Sequence, residues 1–251
     1  MKTKRTRSIT LAVLASTLAL SGVAGAFDAP THPKTTRESV SSAGAPAVGT
    51  VTSGSLSANG RYVVFMSTAA SLLGVSGAQV YRHDRTTGAT VLVSVSKTGT
   101  PSSAGGFAPS VSADGRFVAF ASVGSDFANG DTNGTVDVFL RDMISGTTAM
   151  VSATQTGSPA DQGATLNNGA GAREVSDDGR YVTFTSAATN LVATPNNGKQ
   201  QVYVKDMLTG LVQRASVDAA GAAGNDNSGV PSLSGNGHVV AFRSEAANFS
   251  P

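Results

Sequence analysis

One phrase recurs four times along this chain, and it specifies a sharp turn followed by a straight apolar run. Ser57-Ala58-Asn59-Gly60-Arg61 precedes Tyr62-Val63-Val64-Phe65, and Ser112-Ala113-Asp114-Gly115-Arg116 precedes Phe117-Val118-Ala119-Phe120. Ser176-Asp177-Asp178-Gly179-Arg180 leads into Tyr181-Val182-Thr183-Phe184, and Ser234-Gly235-Asn236-Gly237-His238 into Val239-Val240-Ala241-Phe242. The turn glycines Gly60, Gly115, Gly179 and Gly237 stand 55, 64 and 58 residues apart. Asn-Gly and Asp-Gly supply the positive φ that tight hairpin connections need. The runs that follow are apolar on consecutive residues, as in strands buried on both faces. A repeat of roughly 40 to 60 residues made of short strands predicts an all-β chain organised as a β-propeller.

Each unit adds two further elements. Gln79-Val80-Tyr81-Arg82-His83-Asp84 is echoed by Asp137-Val138-Phe139-Leu140-Arg141-Asp142 and by Gln201-Val202-Tyr203-Val204-Lys205-Asp206. Each of these meets a turn closed by Gly88, Gly146 or Gly210, and a last segment follows at 90–96, 148–154 and 212–218. Residues 35–41 align with 90–96 and are expected to form an outer strand without a blade of its own. The fourth copy ends at Asn248-Phe249-Ser250-Pro251, before any third strand. The count is 15 candidate strands, one short of a four-bladed ring of four-stranded blades. The expectation is therefore an incomplete propeller of antiparallel four-stranded blades across 35–251, its last blade truncated. Such a chain is a fragment of a longer propeller or closes through another chain, and an unfinished blade invites self-association through its unpaired edge.

The unit Ser-x-(Asp/Asn)-Gly-Arg, aromatic-Val-x-Phe, then (Asp/Gln)-Val-(Tyr/Phe)-x-x-Asp-x-x-(Thr/Ser)-Gly resembles the TolB-like, WD-repeat-like propeller repeat of exported bacterial proteins. The likeness runs over nearly all of the chain after its leader. It implies four-stranded blades around a central channel. It also implies a scaffold for protein contacts or a non-catalytic domain of a larger enzyme, and brings no residue-level active site with it. The chain departs from the pattern at His238, which stands where the other copies have arginine.

Residues 1–26 read as a secretory signal. Lys2, Lys4, Arg5 and Arg7 precede an apolar stretch from Ile9 to Leu20, and Ala24-Gly25-Ala26 offers a small-residue cleavage site. That stretch is short of the roughly 20 residues a membrane span needs. Residues 27–34, with two prolines and no apolar period, read as a flexible tail. The whole chain has 18 Lys+Arg and 16 Asp+Glu, and four of the bases but none of the acids lie in the leader. What remains is 14 bases against 16 acids, with no basic run to bind nucleic acid. Cysteine is absent, which excludes disulfides, thiolate metal sites, a cysteine nucleophile and an N-terminal lipid anchor on cysteine. The expected location is secreted or periplasmic.

The strongest candidate site is Asp131-Thr132-Asn133-Gly134-Thr135-Val136-Asp137. Asp131, Asn133 and Asp137 place several oxygen ligands in a tight loop, as calcium requires. The loop lacks the acid that closes an EF-hand, and Asp/Asn/Gly turns also form for local reasons. Asp84, Asp142 and Asp206 fit a structural role, accepting N–H groups of the turns after them. Arg61, Arg116 and Arg180 either bind carboxylates on neighbouring strands or lie over apolar neighbours. His32, His83 and His238 share no metal-ligand spacing, and no local nucleophile or phosphate-binding motif is present. The reading is a non-enzymatic scaffold without a cofactor, binding protein or cell-envelope polymer through blade-end loops. The alternatives are an accessory domain of an exported hydrolase or lyase and a calcium-stabilised structural module.

Overall fold

A computed structural model describes residues 35–167 and 172–249, so the leader and the tail to Lys34, with His32, lie outside the described residues. The first sheet pairs β1 (Val51–Leu56), β2 (Tyr62–Ser67), β3 (Gln79–Asp84) and β4 (Thr90–Leu92) in sequence order. The second repeats this with β5 (Phe107–Val111), β6 (Phe117–Ser122), β7 (Asp137–Asp142) and β8 (Thr147–Met150). The third holds β9 (Ala164–Thr165), β10 (Tyr181–Ser186), β11 (Gln201–Asp206) and β12 (Val212–Arg214). A fourth sheet contains only β13 (Ser228–Leu233) and β14 (Val240–Ser244). All pairings are antiparallel, and the described residues include no α-helix. These are three four-stranded blades and half of a fourth.

Consecutive apolar residues are explained by the way blades stack. In β6, Val118 and Phe120 join Val64, Val80 and Val93 of the first blade, while Ala119 turns the other way. There it meets Val175, Val182, Phe184 and Tyr203 of the third blade. A strand between two blades must be apolar on both faces, and each buried valine or phenylalanine contributes about 1.5–3 kcal/mol. Among the described residues, β14 has a neighbour on one side only. Val239 beside it is 63% exposed, and a cleft lined by Val204, Leu211, His238 and Val240 opens where a third strand of that sheet would lie.

The turns lock neighbouring blades together. The aromatic residue after each turn reaches forward under the next turn glycine: Tyr62 under Gly115, Phe117 under Gly179, Tyr181 under Gly237. The first strand of three sheets also carries a bulge with a left-handed residue, at Ser53, Ala108 and Val230.

One expectation fails. Residues 35–41 do not form a strand. Val40 only bridges Pro46, with Ser41 N–H donating to Ala45 O and Ala47 N–H to Ser39 O. The same small loop recurs after β4, where Val95 bridges Pro101, and after β8, where Ala153 bridges Pro159. The copied letters keep the connecting loop, but the described residues before them hold no third strand for a ladder.

Candidate functional site

The charged residues that recur with the repeat are consumed inside it. Arg61 donates from Nε and Nη2 to the two oxygens of Asp84, at 2.9 and 2.7 Å. Arg116 grips Asp142 at 3.0 and 2.7 Å, and Arg180 grips Asp206 at 3.1 and 2.8 Å. Each aspartate also accepts a backbone N–H from the turn after it, from Thr86, Ile144 or Leu208. The guanidinium, aided by those N–H groups, holds each carboxyl well below the usual carboxylate range. Each pair ties the first hairpin of its blade to the end of the third strand. Of the two readings open for the arginines, carboxylate binding holds, and the guanidinium also lies over the following ring, 4.6 Å from that of Phe117 for Arg116.

The two described histidines, His83 and His238, do not converge. His83 is buried, its Nδ1 2.8 Å from Thr90 Oγ1, and burial lowers its pKa. His238 lies at the surface with its ring 6.0 Å from that of Tyr181.

The loop between β6 and β7 differs from its counterparts. Phe127 anchors it, packing 5.0 Å from both Phe120 and Phe139. Asp126 Oδ1 accepts the Ser102 hydroxyl, and Lys97 Nζ donates to Asn129 Oδ1. The loop then runs through Asp131 and Asn133 to Asp137, the first residue of β7.

Asp137 occupies a position that holds glutamine in the other complete blades. Gln79 accepts the Ser94 hydroxyl and donates from Nε2 to Ser102 O at 3.0 Å. Gln201 accepts the Ser216 hydroxyl and donates to Gly224 O at 3.0 Å. Asp137 keeps the first bond, its Oδ1 accepting the Ser152 hydroxyl at 2.5 Å. It has no N–H for the second. Asn133 supplies that donor instead, its Nδ2 bonding Ala160 O at 2.9 Å, while its Oδ1 accepts the Thr135 N–H.

The exchange strands an oxygen. Asp137 is 0% exposed, and its Oδ2 has no hydrogen-bond partner; the buried Thr135 hydroxyl has none either. Burial pushes the Asp137 carboxyl up, against the Ser152 and Asn133 side chains, which draw it down. Asp131 is raised by its own burial and by the nearby Asp137 charge. The Asp137 charge thus acts on Asp131, while Asn133 belongs to the frame of the loop.

Sequence reasoning missed Glu174. It is buried between blades where the other copies carry Ser55, Ser110 and Ser232. Its carboxyl accepts the Asn167 N–H, its own N–H donates to Ser110 Oγ, and burial pushes its pKa up to about 8. An acid in a column of serines was a visible signal. Thr135 carried none.

No family model matches the chain, and no curated protein matches it. Among solved structures, it is similar to TolB from Acinetobacter baumannii, at 18% identity and a TM-score of 0.48, over 79% of this chain and 39% of that one. It is also similar to dipeptidyl peptidase 4 from Porphyromonas gingivalis, at 12% identity and a TM-score of 0.44, over 77% of this chain and 29% of that one. The chain therefore spans well under half the length of either.

Proposed function

We propose that this protein is an exported, non-enzymatic β-propeller scaffold that binds protein or cell-envelope polymer through its blade-end loops. The observation that carries the reading is the division of labour between repeat and loop. The repeated arginines and aspartates satisfy one another within each blade and are not free to act on a substrate. Variation marks the connections between second and third strands: residues 68–78 carry no charge, 123–136 carry Asp126 and Asp131, and 187–200 carry Lys199, the first loop being three residues shorter than the other two. Divergent loops on a rigid repeated frame are where recognition is built. The unpaired edge of β14 is a further contact surface, and its partner is a second copy of this chain.

Co-sedimentation with isolated envelope polymer tests the scaffold reading, comparing the native chain with one whose 126–136 loop is exchanged for that of the third blade. Saturable binding that the exchange abolishes supports it. Turnover of a sugar or peptide substrate by the purified chain overturns it.

A further inference from the structure

We propose that the loop between β6 and β7 binds a divalent cation of the calcium class, held by the Asp131 carboxylate, Asp137 Oδ2 and the Thr135 hydroxyl. Three features lie in that loop. The first is the buried Oδ2 of Asp137, which makes no hydrogen bond, the neighbouring Asn133 amide being bonded to Ala160 O. Leaving a carboxylate oxygen in the interior without hydrogen bond or counter-charge is costly, and a bound cation removes that cost. The second is Asp131, close enough for the Asp137 charge to act on it. Among the described residues, no lysine or arginine forms an ion pair with either acid, and Lys97, which reaches this loop, is bonded to Asn129. The third is Thr135 Oγ1, a buried hydroxyl without a partner two residues before Asp137.

The other blades serve as an internal control. Where glutamine stands at this position, both ends of its amide are bonded and no oxygen is left over. Only the second blade replaces the amide with an acid, and the same blade places another acid six residues earlier. Asn133 takes over the lost donor bond to Ala160, so the acid is not needed to hold the loop. The spare oxygen is therefore available to a ligand.

The donor set selects the ion. It consists of oxygens alone, which suits a hard cation and excludes the nitrogen and sulfur preferences of zinc. Beta-carbons placed at Gly130 and Gly134 would meet no atom within 4 Å, so backbone carbonyls and water have room to complete the shell. A loose glycine-flanked loop suits calcium, which takes six to eight ligands in variable geometry, better than magnesium with its rigid octahedron. This inference does not depend on the scaffold reading, and either can fail alone.

The test is calorimetric titration of the chelator-stripped full chain with calcium chloride and with magnesium chloride, with thermal unfolding alongside. The expected result is one calcium per chain and a rise in Tm of about 5–10 °C at a hundredfold excess over Kd, with a smaller rise for magnesium. Asp137→Gln restores the amide of the other blades, so it keeps the fold and loses both the heat and the Tm rise. Asp131→Asn, in the loop itself, loses them as well and carries the test should Asp137→Gln fail to fold. Absence of heat and shift in the native chain overturns the proposal, as does full binding by either variant or an equal response to magnesium.

Discussion

The ring of Phe117 is seated on the backbone of Gly179, one blade ahead: a β-carbon there would come within 2.6 Å of ring carbon Cε2. Gly179 also has a φ of +73°, which a side chain rarely adopts. Gly179→Ala therefore meets a ring and a strained backbone together and is expected to cost about 2–4 kcal/mol. Gly88 has a similar φ of +75°, with nothing within 4 Å of a β-carbon, so Gly88→Ala should cost about 1 kcal/mol. Urea unfolding of both variants separates the effects. Equal losses would mean that the ring contributes nothing to docking the blades.

Asp142 joins three bonds, two from Arg116 and one from the Ile144 N–H. Asp142→Ala should lower stability at pH 7 by roughly 2–3 kcal/mol. The same bonds hold the carboxyl below its unfolded pKa, so their stabilisation is present above that value, near 4, and is lost as pH falls further. Unfolding measured from pH 6 to pH 2 should fall less steeply in the variant. An unchanged acid slope would mean that the clamp contributes no linkage.

Glu174 titrates in the opposite sense. Its folded pKa, about 8, lies above that of an unfolded glutamate near 4.3. The folded chain keeps the proton that the unfolded chain releases, so stability is whole below pH 4 and declines as pH rises toward 8. Glu174→Gln retains an acceptor for the Asn167 N–H without the ionisation. It should be more stable than the native chain at pH 7.5, by on the order of 2–4 kcal/mol, and equal to it at pH 4. Chemical denaturation at the two pH values decides, and a difference independent of pH would refute it.

The blades were legible because their determinants are local. A turn glycine, an aromatic, and an aspartate at a fixed offset each fix one part of a hairpin. Asp84, Asp142 and Asp206 could be assigned to turns because an Asx-type bond spans only two residues. The arginine partners were left open since the bond crosses 23 to 26 residues and depends on strand register. Residues 35–41 misled for the complementary reason. The letters shared with 90–96 are Thr35, Ser39, Val40 and Ser41, mostly those of the connecting loop; where Val91 and Leu92 pair with β3, the earlier stretch has Thr36 and Arg37 and no third strand beside it among the described residues. At the candidate site the acids were visible in the sequence. The role of Asn133 was not, because Ala160 comes to it from the next connection. Glu174 faces Ser110 across 64 residues, a relation created only by blade stacking.

β14 presents an edge that no described strand covers. Val239 C=O accepts the Ser234 N–H and Glu245 N–H donates to Asn227 O, so these groups face β13. By the alternation of an antiparallel ladder, Val240 and Phe242 turn their N–H groups to the outer edge. Arg243 is the one charge on β14, which holds no proline or lysine, and exposed Val239 adds apolar surface beside it. The chain should therefore associate at concentrations of tens of micromolar, by light scattering. Val240→Pro removes an outer donor while sparing the bonds to β13, and should shift the population to monomer without loss of the three complete blades. A native chain that stays monomeric, or a proline variant that associates as before, would place the contact elsewhere.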